Sequence, residues 1–299
     1  MIYTLIAQHS VGFPKGALCE ITEVSRSGLY RFLSSVKEKV DSIEAKLIEH
    51  IEHICVDMPG YGYRRVTKAL QRMGYRINHK RVLRLMRSND LLCKRKRGSV
   101  RTTDSRHHLG IYPNLAKEIK PTAPDQLWVA DITYIRLPKA FVYLGVIMDQ
   151  FTRRIVGWSL GRDIDTRLSI SALRMALRNR SIKPGLIHHS DRGVQYAAGK
   201  YIEMLKQHGI IVSMSRKGNP YDNATIESFI KTLKYEEVLL NEYESFEEAY
   251  DYIAYYINEV YNKRRLHSAL GYNSPVEFEN AFEERRLEMS LKQEESVPV

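Results

Sequence analysis

Cysteine is scarce in this chain. Cys19, Cys55 and Cys93 are the three among 299 residues, and no CxxC joins any of them. Such spacing excludes a zinc knuckle or a disulfide framework and fits a reducing, cytoplasmic setting. Long apolar runs are also missing. None reaches the roughly 18 residues that cross a bilayer, so no membrane partner is expected. The opening residues, Met1 to Ala7, offer no charged n-region and no long h-region, which argues against a signal peptide. A GxxxxGK[ST] loop is absent, so ATP hydrolysis is not indicated. No internal repeat is found.

What the chain has is charge of one sign, unevenly placed. The net charge is +11, yet residues 1–120 hold 23 Lys/Arg against 11 Asp/Glu. The remaining residues are close to neutral. Within residues 61–106 there are 15 basic residues, opposed only by Asp90 and Asp104. A basic segment of this density is an electrostatic footprint for nucleic acid. The plain alternative is a solvated basic face.

The N-terminal third reads as helices. Residues 1–35 form a short helical segment, with turn signals at Gly12-Phe13-Pro14 and Gly28 and with Ser25 as a possible cap. Residues 36–56 form an amphipathic helix, with Val36, Val40, Ile43, Leu47, Ile51 and Ile54 recurring at helical spacing. A helix from about Arg64 ends at Gly74, and another starts at Asn78. The second places Val82, Leu85 and Met86 inward and Lys80, Arg81, Arg84 and Arg87 outward. Two short helices joined by a turn, the second basic, are the helix-turn-helix pattern, assigned to residues 36–93. Arg64 and Arg65 extend its basic surface. Residues 94–126 have no period. They open on Lys94-Arg95-Lys96-Arg97 and read as a basic linker along a DNA backbone.

From Leu127 the pattern changes. Strands are predicted at 127–136, 140–149, 153–160, 186–189 and 210–214, and helices at 165–179, 197–208, 222–238 and 246–261. Three antiparallel strands followed by alternating helix and strand imply a mixed five-stranded sheet in an α/β layer fold. That order is the RNase H-like arrangement. It assigns 127–240 to the core, 241–282 to a helical extension and 283–299 to a disordered tail.

One charge stands out in Leu127–Ile135. Asp131 interrupts an apolar, β-branched and aromatic strand, where a lone carboxylate is costly. Two later carboxylates answer it. Asp191 follows a short strand, at the end where open α/β sheets present their sites. Glu227 lies early in a helix, with Lys231 and Lys234 on the same polar stripe. A Glu–Lys surface ladder is the simpler reading of that helix alone. Three carboxylates suit Mg²⁺ or Mn²⁺, because hard cations prefer oxygen. Two ions about 4 Å apart could activate one oxygen of a phosphodiester reaction and stabilise the other. Asp149, Asp163 and Asp165 read as turn or helix caps, Asp222 and Asn223 as a helix start. Trp128 and Trp158 read as core, and His188 and His189 as structural or DNA-contacting.

Four strings then carry a resemblance: W-V-A-D-I-T-Y-I, H-H-S-D-R-G-V-Q-Y, N-P-Y-D-N-A-T-I-E-S-F-I-K-T-L-K and Y-N-K-R-R-L-H-S-A-L-G-Y-N-S-P. In this order they resemble the orfB-type transposases of the insertion sequence three (IS-three) family, within the DDE transposase and retroviral integrase superfamily. Thirty-five residues separate Asp191 from Glu227, and 59 separate Asp131 from Asp191. The resemblance implies an RNase H-like core with Asp131, Asp191 and Glu227 as catalytic metal ligands for two Mg²⁺ ions, a D,D(35)E triad. It implies cleavage at the ends of a mobile element, then attack of the freed 3′-hydroxyl on another phosphodiester. Double-stranded DNA is the implied partner, as terminal inverted repeats and as target. A homo-oligomer on DNA, an upstream-frame orfA product and a bacterial, nucleoid-associated location follow from the same resemblance. An RNase H-like nuclease without strand transfer and a DNA-binding regulator with a silent core are the competing readings.

Overall fold

A computed structural model describes residues 2–9, 14–93, 110, 112–117, 119–215 and 223–295. The chain divides into two units, Met1–Cys93 and Lys94–Val299.

The first unit is helical: α1 (Ile2–His9), α2 (Lys15–Ile21), α3 (Arg26–Asp57), α4 (Tyr63–Arg72) and α5 (His79–Ser88). Ser25 caps α3, its Oγ accepting from the Gly28 N–H at 3.2 Å. The helix expected over 36–56 therefore starts ten residues earlier, and the boundary set at residue 35 falls inside it. Gly28, read as a turn signal, lies instead in the first helical turn, and Ser25 is the cap it was read to be. Leu47 and Ile51 are buried, whereas Ile43, expected inward, is exposed. Asn78 caps α5 by accepting from the Lys80 N–H at 2.8 Å. Gly74 takes the left-handed conformation that ends α4, φ 93°. Val66 and Leu70 of α4 bury against Val82, Leu85 and Met86 of α5 and the inner face of α3.

The second unit is built on β1 (Leu127–Arg136), β2 (Phe141–Asp149), β3 (Ile155–Gly161), β4 (Ile187–Ser190) and β5 (Ile211–Met214), in spatial order β3-β2-β1-β4-β5. β1 and β2, and β2 and β3, are antiparallel; β4 lies parallel to β1 and β5 to β4. This is the mixed five-stranded, RNase H-like sheet the sequence implied. Alternation in β1 divides the core. Leu127, Val129 and Ile135 face a cluster with α9 (Ala224–Leu233) and α10 (Phe246–Tyr255). Trp128 and Ala130 face α6 (Thr166–Asn179) and α8 (Gly199–Gln207). α6 lies so close to β3 that a Cβ on Gly157 would stand 2.2 Å from the Ala172 carbonyl oxygen.

Caps agree with their residue types. Asp149 accepts from the N–H and hydroxyl of Thr152 at 2.7 and 2.8 Å. Asp165 caps α6 through the Leu168 N–H; Asp163, the other cap expected there, is not the N-cap residue. A short helix, α7 (Val194–Ala197), follows β4. α9 and α10 continue as π-helical turns, Lys234–Val238 and Tyr256–Tyr261. Tyr250 is 40% exposed, its ring against Trp158.

Two expectations are corrected. The linker expected over 94–126 packs on the core from Tyr112 onward. The Met214 N–H donates to the Pro113 carbonyl and the Leu115 N–H to Ser213 Oγ, satisfying backbone groups next to β5. The tail expected to be disordered from 283 is helical to Glu295, in α11 (Pro275–Glu295). Its helix-forming composition and the Arg286–Glu283 pair at i,i+3 favour that state.

α11 is anchored at its start. Glu279 is buried between Arg154, at 2.8 Å, and Arg180, which also grips Asp125. Arg265 and Glu236 form a second buried pair through two 2.6 Å bonds, joined by the Tyr256 hydroxyl at 2.9 Å. The Asn262 side chain accepts from the Ile155 N–H and donates to its carbonyl, at 2.9 and 3.0 Å. No helix among the described residues is long and apolar enough to cross a membrane.

Candidate active site

The sheet register brings the first two carboxylates level. Leu127 pairs with Ile187, Trp128 with His188 and Val129 with His189, a constant offset of 60 residues. Continuing it by two places sets Asp191, just past β4, abreast of Asp131 on the central strand. The offset keeps parity, so both belong to the face that α9 covers. The 59-residue spacing is thus a consequence of strand pairing.

Asp131 is held by its own strand. Its Oδ1 accepts from the Ile132 N–H at 2.9 Å. Its carboxyl is pushed up to about 8, first by burial and then by the charge of Asp191; Glu227 adds to the rise, while the Ile132 bond and the Lys234 charge oppose it. A carboxyl shielded from water and facing two others resists ionisation unless a cation joins it. Asp191 Oδ1 accepts from the Gly193 N–H at 2.9 Å. A Cβ on Gly193 would come within 3.0 Å of that oxygen, so the tight turn here suits glycine.

Glu227 lies in the first turn of α9, whose Ile226, Phe229, Ile230 and Leu233 are buried. Asn223, the residue before the helix, donates to the Ala130 carbonyl at 3.1 Å and ties the helix start to the residue preceding Asp131. Glu227 Oε2 lies 3.9 Å from Lys231 Nζ, on the exposed side of the helix. Lys234 stands 4.4 Å over the Tyr134 ring, and burial pushes its ammonium down while Asp131 pulls it up. Among the described residues, no three His, Cys, Asp or Glu side chains are gathered closely enough to hold an ion unaided. The three carboxylates share a field without closing on a common point.

Two neighbours escaped the sequence reading. Tyr196 is buried, and its hydroxyl is raised well above the usual range by burial, by Tyr201 and then by Asp131 and Asp191. Tyr134 is the other. Both lie inside the quoted strings, but nothing local distinguishes them from core residues. Asn223 is at the helix start, as read; its bond to Ala130 was not foreseen. His188 is a core residue. Its Nε2 faces the Tyr201 hydroxyl at 2.9 Å, and burial pushes it down to about 3. His189 Nδ1 meets Ser213 Oγ at 2.8 Å.

The basic residues lie largely in the first unit. Arg64 and Arg65 of α4 sit over the rings of Tyr63 and Tyr61. Lys80, Arg81, Arg84 and Arg87 are exposed on α5. Arg81 and Arg84 both reach Glu44 of α3, at 3.1 and 3.2 Å. Lys94, Arg95, Lys96 and Arg97 lie outside the described residues.

Known proteins agree with this layout. Residues 121–220 and 208–275 match integrase core domain families, and residues 42–98 match an HTH-like domain. The insertion element IS600 uncharacterized 31 kDa protein of Shigella sonnei is 40% identical, covering 89% of this chain and 98% of that protein. Transposase InsF for insertion sequence IS3A of Escherichia coli is 34% identical, over 94% and 99%. The catalytic core of BIV integrase is similar at 18% identity, covering 55% of this chain and 99% of that one, with a TM-score of 0.42. The acidic central strand, the sheet order, the helical basic unit, the domain matches and the two insertion-sequence relatives lead to one assignment: the chain belongs to the IS3 family of insertion-sequence transposases, with an integrase core domain.

Proposed function

We propose that this chain cleaves the ends of its insertion sequence and transfers the freed 3′-hydroxyl to a second phosphodiester, as a DDE-type DNA strand transferase. Asp131, Asp191 and Glu227 are its catalytic triad and would hold Mg²⁺ or Mn²⁺, as two ions. When bound, such ions activate the attacking oxygen and stabilise the leaving one.

The donor set fits. All three ligands are hard oxygen donors, and Asp131 is pushed up to about 8 by burial and by its two acidic neighbours. The observation that carries the proposal is the strand register that sets Asp191 level with Asp131, with Glu227 on the helix that Asn223 ties to the same strand.

The chain's own groups do the positioning. The Ile132 N–H and the Gly193 N–H orient Asp131 and Asp191. Asn223 fixes the start of the helix that carries Glu227. Lys231 and Lys234, on the same side of that helix system, would take the phosphates flanking the scissile bond. The first unit would hold element ends. Arg64, Arg65, Lys80, Arg81, Arg84 and Arg87 contact the duplex, and Lys94–Arg97 track its backbone. The partners are double-stranded DNA at the terminal repeats and target, a second copy of the chain on DNA, and an upstream-frame orfA product.

The test is Glu227→Gln with a duplex of candidate element ends and Mg²⁺. Cleavage and strand joining both fall to background, while DNA binding by fluorescence anisotropy stays at the wild-type level. Joining at the wild-type rate would refute the metal assignment. Cleavage without joining in the wild type would leave a nuclease in place of a strand transferase.

A further inference from the structure

On the basic helix of the first unit, two of the four outward cations are already engaged. Glu44 reaches across from α3 to α5 and receives Arg81 Nη2 on Oε2 at 3.1 Å. Arg84 Nη2 reaches both oxygens of the same carboxylate, at 3.2 and 3.4 Å. A single carboxylate thus occupies the donors of two arginines one helical turn apart, and all three side chains remain in contact with solvent.

A structural pair would be buried or would join elements that need joining. Neither applies here. α3, α4 and α5 already share Leu47, Ile51, Val66, Leu70, Val82, Leu85 and Met86 as their core. An exposed pair of this kind contributes little to folding. A carboxylate forked between two guanidiniums also presents the same planar, two-oxygen acceptor that a phosphate presents to arginine.

We infer that Glu44 is a built-in competitor for DNA phosphate: it holds Arg81 and Arg84 in reserve and lowers the affinity of α5 for duplexes of arbitrary sequence. A bare phosphate must displace Glu44 before it gains either arginine. A site that also offers base-edge contacts to α5 compensates for that displacement, so the carboxylate widens the gap between cognate and arbitrary DNA. Glu44 therefore determines specificity without itself touching DNA. The inference rests on the reading of α5 as a DNA-facing helix.

The test measures binding of the full chain to a random-sequence 30-bp duplex by fluorescence anisotropy, across a salt series. Each exposed pair is worth roughly 0.2–1 kcal/mol, so releasing two corresponds to roughly 2- to 30-fold. Glu44→Gln should tighten random-duplex binding within that range and steepen the log–log salt dependence by up to about 0.9. Placed in an Arg81→Ala/Arg84→Ala background, the same substitution should change nothing. Unchanged or weaker binding by Glu44→Gln would overturn the inference. So would equal tightening in both backgrounds, which would mark a general field effect. The double alanine variant alone tests the underlying reading. If it binds random duplex as tightly as wild type, α5 does not face DNA; if it binds more weakly while Glu44→Gln is silent, only the competitor role fails. Glu44 is on the surface, and coincident thermal melts of the variants check that each folds.

Discussion

Replacing Glu236 by Gln should unfold the α/β unit far more readily than a surface change would. Glu236 and Arg265 are buried, and their side chains are 8% and 3% exposed. Burial alone would push the Arg265 guanidinium down, yet the bonds and charge of Glu236 reverse this and hold it above its usual range. Gln keeps the shape, and it can still accept from Tyr256, but it leaves the guanidinium charge in the interior without its counter-charge. Breaking a buried pair from one side costs about 3–5 kcal/mol. With a urea slope of roughly 2–3 kcal/mol/M for a unit of this size, the midpoint should fall by about 1–2.5 M. The assay is intrinsic tryptophan fluorescence in urea. Trp128 and Trp158 are the two tryptophans of the chain and both lie in the sheet, so the signal reports this unit alone. Glu236→Leu with Arg265→Met removes both charges and should recover most of the loss. A midpoint within about 0.3 M of wild type for Glu236→Gln, or a double variant less stable than the single, would refute the reasoning.

Gly157→Ala should release α6 from β3, since the added methyl meets the Ala172 carbonyl oxygen and the Ala176 backbone. A loss of about 1–3 kcal/mol or more in the same urea assay is expected, and a neutral result would contradict the packing. His188 should make the unit acid-sensitive. Its folded pKa, about 3, lies below the ordinary 6.5, so its contribution is complete above pH 6.5 and is lost as pH falls toward 3. Stability should decline by up to about 1.4 kcal/mol per pH unit in that window. His188→Gln should flatten the decline, and an unchanged slope would assign it to other groups.

The sheet was legible because its strands advertise themselves. Leu127–Ile135 is apolar and β-branched on both parities, as a strand covered on both faces must be. The carboxylate spacing was legible too, and the 60-residue register between β1 and β4 gives it a physical cause. The misses arise where a local pattern has two outcomes. Gly28 suits a turn or the first turn of a helix capped by Ser25, and the packing of Leu29 against Ile6 and Cys19 decides for the helix. Arg265 sits in a basic string, Lys263 to Arg265, and nothing in that string separates a solvated cation from a buried one. Its burial against Glu236 depends on a partner 29 residues away. Pro113 and Leu115 looked like linker because their partners, Met214 and Ser213, come about a hundred residues later. Asn223 is a helix-start residue by type, and its bond to Ala130 appears only once β1 and α9 meet.

The Asn262 side chain has a consequence beyond the stability of the turn that carries it. β3 is an outer strand of the sheet, and its free side would otherwise present amide and carbonyl groups to any passing extended chain. By meeting both groups of Ile155, the Asn262 amide takes the place of one residue of a sixth strand. Without such a stopper, two copies of the chain brought close together could zip edge to edge through their sheets and end as aggregate.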